Sequence, residues 1–172
     1  MEALADDLAL LSRLESETPP QPINPVKLKP LLSGIVNDAK RLSAGKHVIK
    51  LDCDNRVEIL GNANELRSAF SNIVFNAVNH NPKGANINIH AGEDANFLNV
   101  SIRDDGVGID LPEIPRITER FYRVDASRNS HSGGTGLGLA IVKHTLNRYN
   151  GSLIISSRIG EGAEFLCKLP RT

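Results

Sequence analysis

Two glycine clusters about thirty residues apart constrain this chain more than any other feature. The first reads Asp104-Asp105-Gly106-Val107-Gly108-Ile109 and the second Gly133-Gly134-Thr135-Gly136-Leu137-Gly138-Leu139. Glycine enters left-handed backbone without strain and lets the main chain approach a ligand closely. Two such turns flanking one place can offer amide N–H groups to phosphate oxygens. The second cluster runs straight into an apolar helical pattern, Leu137, Leu139, Ile141, Val142 and Leu146. A helix N-terminus led by glycines attracts anions through its open N–H groups and its dipole. Either cluster alone reads more readily as turn glycines than as a site. Neither follows the P-loop pattern of Gly, four residues, Gly-Lys and a hydroxyl residue. Neither gives G-x-G-x-x-G after a strand, so a dinucleotide fingerprint is absent.

Asp104 ends an alternating strand with Leu98, Val100 and Ile102 on one face. A carboxylate there can accept from an exocyclic amine such as that of adenine. Asp is also a turn former, and Asp105 stands ready for that work. Upstream, a helix is expected over roughly 62–79. Asn62 suits its N-cap, with Glu65 placed as in a capping box. Leu66, Phe70, Ile73, Val74 and Ala77 make its apolar side. Asn72, Asn76 and Asn79 recur at spacings that share one face, and His80 lies at the edge. Asparagine is a poor residue for a helix interior. The stripe is either a polar surface or a ligand set. An amide oxygen is a hard donor suited to Mg²⁺, which keeps waters and phosphate oxygens as well. Asn76 is the candidate metal ligand. Taken in order, these segments describe a pocket for a nucleotide and its metal.

Four ordered motifs now resemble a known family. Asn72-Ile73-Val74-Phe75-Asn76-Ala77 resembles the N box of bacterial sensor histidine kinases, and Asp104 through Ile109 their G1 box. Glu119-Arg120-Phe121-Tyr122-Arg123-Val124-Asp125 resembles the F box, and Gly134 through Val142 the G2 box. The resemblance covers roughly 62–169 and extends more weakly to about 22. It implies an α/β fold: a two-layer sandwich of a mixed sheet with helices on one face, the Bergerat ATP-binding fold, after a short helical stub. It implies ATP and Mg²⁺ as cofactors and transfer of the γ-phosphoryl group to a histidine elsewhere. The implied nucleotide-binding residues are Asn72, Asn76, Asn79, His80, Asp104, Gly106, Gly108, Ile109, Tyr122, Arg123, Gly134, Thr135, Gly136, Leu137, Gly138 and Leu139. Asn76 and Arg123 are the implied catalytic pair.

A long stretch from Asp110 to Ser132 shows little periodicity, and such a loop is usually a lid or a disordered segment. The resemblance implies an ATP lid at about 110–133, with Phe121 and Tyr122 packing at its base. Arg120, Arg123 and Arg128 are candidates for phosphate contacts, Arg123 foremost, with a solvated face as the other reading. Two departures from the family pattern weaken the phosphate end. Asn79 stands where many members have lysine, and Ala126 where lysine often follows the Asp. Loss of a charge-assisted contact costs about 1.5–3 kcal/mol.

The rest of the chain reads around this core. Residues 2–15 suit a helix with a stripe of Leu4, Leu8 and Leu11, flanked by Leu10 and Leu14. By resemblance, 1–17 is the end of a dimerisation helix, 18–25 a Pro-rich linker or edge strand, and 26–172 the ATP-binding domain. A helix at about 28–42, a hairpin over 47–60, strands near 86–91 and 97–103, and last strands near 153–157 and 163–169 complete the expectation. Asn150-Gly151 marks a helix stop.

Net charge is zero, which gives no electrostatic support to nucleic-acid binding. The two cysteines, Cys53 and Cys167, are far apart and read as core thiols, not as a disulfide framework. No apolar run is long enough to span a membrane. The resemblance implies a cytoplasmic piece of a larger inner-membrane sensor, without membrane contact of its own. Its partners would be the dimerisation and phosphotransfer helices of the same kinase and a cognate response regulator. None of His47, His80, His90, His131 and His144 sits in a phosphoacceptor context. Two other readings stay open: an ATPase module of the same fold, or a binding-only domain. Related ATPases carry a glutamate one turn before the metal asparagine, where this chain has Asn72. The intact Asn76, Asp104 and glycines weigh against a degenerate domain.

Overall fold

A computed structural model describes residues 2–16, 23–123 and 135–171. A five-stranded sheet forms its base, in the order β2 (Val48–Cys53), β4 (Asn86–Glu93), β5 (Phe97–Asp104), β7 (Gly162–Pro170), β6 (Ser152–Arg158). The pair β2–β4 is parallel and the other pairs are antiparallel. Along these strands the alternation is strict. Ile87, Ile89, Ala91, Leu98, Val100, Ile102, Phe165, Cys167 and Leu169 are buried on one face, because successive strand residues point to opposite sides.

Helices cover that face. The helices α2 (Leu28–Ser43) and α3 (Ala63–His80) turn Leu32, Ile35, Val36, Leu66, Phe70, Ile73 and Val74 into one core with the strands, following the helical period. Asn62 caps α3 by accepting from the Glu65 amide at 3.1 Å, a device worth about 1 kcal/mol. Glu65 does not complete the box by itself. The Tyr149 hydroxyl sits between, accepting from the Asn62 amide at 2.9 Å and donating to Glu65.

The helix α4 (Gly138–Arg148) has two apolar sides. Val142 and Leu146 join the main core. Leu137, Ala140 and Ile141 form a second cluster with Leu11 and Leu14 of α1 (Glu2–Glu15). The leucine stripe of α1 is thus only half covered, since Leu4 and Leu8 remain exposed. Arg148 donates to the carbonyls of Arg13 and Ser16, capping the end of α1. Among the described residues, no helix is long and apolar enough to cross a membrane.

One expected element does not form. The segment 47–60 is not a hairpin. Strand β2 pairs with β4, while β3 (Glu58–Gly61) pairs antiparallel with β1 (Asn24–Lys27) in a separate two-stranded sheet. Val57 explains the parting. It is buried in the core, and its carbonyl accepts from the Leu28 amide at 3.0 Å. That pull carries β3 away from β2 and toward β1. A parallel pair needs a long crossover, and α3 supplies it between β2 and β4.

Candidate functional site

The sheet brings the end of β5 beneath the end of α3. Asp104, on a strand flanked on both sides, pairs in register with Ile87 of β4 and Ala163 of β7. It is 6% exposed. Burial pushes its carboxyl above the ordinary carboxylate value, against the opposing pull of the Gly106 amide and the Asn81 side chain. Gly106 donates to Asp104 Oδ1 at 3.0 Å. Asp104 therefore makes the turn that Asp105 was free to make. Asp105 instead accepts from the Asn86 main chain and side chain at 2.7 and 2.8 Å, tying the turn to the start of β4.

The first glycine cluster is bonded almost wholly to the protein. Val107 donates to Asn81 Oδ1 at 2.9 Å, and Ile109 donates to Ser157 Oγ at 2.7 Å. The Gly160 amide closes the β6–β7 turn onto the Val107 carbonyl at 2.8 Å. These amides do not face phosphate, which corrects the expectation that both clusters offer free N–H groups. Gly108 is glycine for two reasons. Its φ is 76°, and a Cβ would run into the Arg158 carbonyl.

A narrow recess opens between α3 and this loop. Asn76, His80, Asp104, Gly108, Ile109 and Phe165 are among its walls, and its volume is about 10 Å³. That is room for one water.

The second cluster meets α3 farther along. A Cβ on Gly138 would stand 2.9 Å from Asn72 Oδ1. Its absence lets α4 begin against that asparagine, whose amide also donates to the Ser68 carbonyl. No side chain caps α4, and no acidic residue occupies its first turn, so its leading N–H groups keep their affinity for an anion. Thr135 Oγ1 accepts from the Leu137 amide at 3.2 Å and donates to Asp7 Oδ2 of α1 at 2.7 Å. Gly136, with φ 77°, accepts from the Phe121 amide at 2.8 Å.

Of the expected site residues, Asn76, His80, Asp104, Gly106, Gly108 and Ile109 gather at the α3–β5 corner, while Asn72 meets the start of α4. Thr135, Gly136, Leu137, Gly138 and Leu139 lie at the start of α4. Asn79 is exposed and lies away from the recess walls. Tyr122 packs against the core, with the Arg116 guanidinium 4.6 Å from its ring centre. Phe121 does not pack as expected. Its side chain is 56% exposed, and its φ of 64° turns the ring outward while its main chain does the anchoring. Arg123 is half-buried. Arg120 pairs with Glu15 of α1. Gly133, Gly134, Arg128, Ala126 and His131 lie outside the described residues. The sequence reading missed Asn81, Ser157 and Asp7. Asn81 before Pro82 signalled a helix stop, but nothing local signalled its burial.

The decisive comparison spans these same segments. The family model described as histidine kinase-, DNA gyrase B- and HSP90-like ATPase matches residues 61–172. The chain belongs to this family.

Among curated relatives of this ATPase-family chain, the phosphate regulon sensor protein PhoR of Pseudomonas aeruginosa is 50% identical over 168 residues, 97% of this chain. PhoR of Haemophilus influenzae is 36% identical over 99% of it. The chain spans only 38% and 40% of the lengths of these two relatives. Among solved structures, full-length ShkA in complex with AMPPNP superposes with a TM-score of 0.84 at 25% identity, over 98% of this chain and 35% of that one. The mycobacterial sensor histidine kinase MprB, at 24% identity and TM-score 0.74, covers 86% of this chain and 97% of its own and shares the fold. The expected two-layer architecture is thereby met: a mixed sheet, helices on one face and a short helix ahead of them.

Proposed function

We propose that this chain is the ATP-binding catalytic part of a two-component sensor histidine kinase of the phosphate-regulon kind, serving as the donor half of the reaction. The observation that carries the reading is the buried Asp104 carboxylate facing a recess shared with Asn76 and His80. A buried acceptor at the end of a strand suits the exocyclic amine of adenine and disfavours the carbonyl of guanine. The relatives' names and the AMPPNP bound to ShkA support the same assignment.

The residues fit ATP and one divalent cation. Asp104 would hold the base, with His80 beside it. The uncapped start of α4, led by Thr135, Gly136 and Gly138, would meet the phosphates. Among the described residues, no three His, Cys, Asp or Glu side chains cluster to hold a metal. Mg²⁺ would therefore rest on the Asn76 amide oxygen, nucleotide oxygens and water, as its chemistry allows. When bound, it supplies charge neutralisation across the phosphates. Arg123 would add positive charge near the transferred group. Such catalysis consists of positioning and electrostatics.

The acceptor lies elsewhere in this reading. His47 is buried between Ser43 and the Asn81 carbonyl. His90 is exposed and stands 3.0 Å from Asp52 on the open side of the sheet. His144 stands 3.7 Å from Glu15. Its partners would be the helices that bear the phosphoaccepting histidine and a cognate response regulator, in a sensor anchored at the inner membrane. Where a related ATPase would hold its glutamate, Asn72 packs on Gly138.

Calorimetry with ATP, with and without Mg²⁺, tests the binding. Asn76→Ala should weaken metal-dependent binding more than metal-free binding. Labelled ATP should leave this chain unlabelled and mark an added fragment bearing both dimerisation helices. Failure to bind millimolar ATP, or acid-labile phosphate on this chain, would sink the proposal.

A further inference from the structure

We infer that Asn81 is the positioning residue of base recognition, holding the Asp104 carboxylate and the first glycine loop in one fixed relation. The inference rests on Asp104 as the adenine acceptor. Asn81 stands at the C-cap of α3 and is 3% exposed. Its Oδ1 accepts from the Val107 amide at 2.9 Å, and its Nδ2 donates to the Ala77 carbonyl at 2.8 Å. Gly106, whose amide donates to Asp104 Oδ1 at 3.0 Å, packs directly on the same amide group, which helps hold the Asp104 carboxyl down against the effect of burial. Its main-chain oxygen accepts from the Gly84 amide at 2.9 Å and lies 2.7 Å from His47 Nε2. His47 is fixed in turn by Ser43, whose Oγ lies 2.9 Å from Nδ1 and accepts from the His47 amide at 2.8 Å. The ends of α2, α3 and β5 thus converge on one residue, α2 through the main chain of Asn81 and β5 through its side chain.

Gly106 supports this reading. Its backbone is not left-handed, yet a Cβ there would overlap the Asn81 amide. Gly106 is glycine because Asn81 needs the space. The amide's asymmetry also matters. One end must accept from Val107 and the other must donate toward Asp104 and Ala77, so neither an acid nor an apolar residue can replace it. A buried polar group left unpaired is costly.

The test measures ATP and GTP affinity for the whole chain and for Asn81→Ala, Asn81→Asp, Asp104→Asn and the double variant Asn81→Asp/Asp104→Asn. Asn81→Asp keeps the acceptor for Val107 while withdrawing the donor and adding a carboxylate beside Asp104, so it remains informative if Asn81→Ala does not fold. Circular dichroism checks each fold. The ATP-over-GTP preference should fall roughly tenfold in each single variant, the effect of about one hydrogen bond. The double variant should lose no more preference than Asp104→Asn, because both residues act through one carboxylate. Tripolyphosphate affinity should be unchanged in Asn81→Asp. Equal losses of ATP and GTP, with the preference kept, would make Asn81 merely structural and overturn the inference. Additive losses in the double variant would also overturn it, because Asn81 would then read the base directly. If Asp104→Asn alone keeps the preference, the adenine reading of Asp104 fails. A shift in Asn81→Asp alone would then assign base reading to Asn81 itself, again ending the positioning role.

Discussion

Replacing Asp104 with Asn should stabilise the nucleotide-free protein while damaging its choice of nucleotide. The side chain is 6% exposed, and burial raises its pKa above the ordinary 3.8. The folded chain therefore holds its proton to higher pH than the unfolded chain does. The stability linked to that proton is fully present below 3.8 and is lost as pH rises through the raised folded value. At neutral pH the fold carries a buried charge it would be more stable without. Asparagine keeps an acceptor for the Gly106 amide, now 3.0 Å from Oδ1, and has no charge to bury. Its amide faces the base with the wrong polarity for adenine's amine. A lost hydrogen bond to a charged group costs about 1.5–3 kcal/mol, or roughly ten- to a hundredfold in ATP affinity. Thermal melts of both proteins at pH 7.5 and pH 4.5, without nucleotide, test the stability side. The variant should melt higher at pH 7.5, and its advantage should shrink toward pH 4.5. A variant that melts lower at pH 7.5 by a margin independent of pH would refute the reasoning. Retained preference for ATP over GTP would refute the site assignment separately.

Three further predictions concern packing and thiols. Phe70→Ala, in the main core at 0% exposure, should cost about 3–5 kcal/mol and lower the melting temperature by roughly ten degrees or more. Leu11→Ala in the small α1–α4 cluster should instead free α1, since an isolated helix of this length is marginal. Amide exchange should then rise in residues 2–16 with little change in the main transition, and an equally large melting shift would contradict this. Cys167 is fully buried with its thiol pushed up to about 12, and Cys53 is buried with its thiol raised by desolvation. An aromatic disulfide reagent should react with neither in the native protein and with both in denaturant. Rapid native reaction would contradict the burial.

The parts legible in the sequence are those written in local pattern. The α3 boundaries follow from apolar period and the Asn62–Glu65 cap, and the helix runs Ala63–His80. The alternation of Leu98, Val100 and Ile102 gave the buried face of β5 and the position of Asp104 at its end. The misread hairpin has a non-local cause: β2 and β3 are close in sequence, yet their partners are β4 and β1. Asn81 and Ser157 escaped notice because their value comes from the loop they bind, not from neighbours in sequence. The leucine stripe of α1 could not reveal which half meets α4. That depends on where the second glycine cluster starts its helix.

The first glycine cluster, with the amides of Gly106, Val107 and Ile109 all taken by the protein, behaves as a finished template. Its ordering cost falls on folding and not on ligand capture. Nucleotides sharing a base but differing in phosphate number would be gripped nearly alike at that end. Any discrimination between a triphosphate and a diphosphate would then fall to the other end of the site, at the uncapped start of α4.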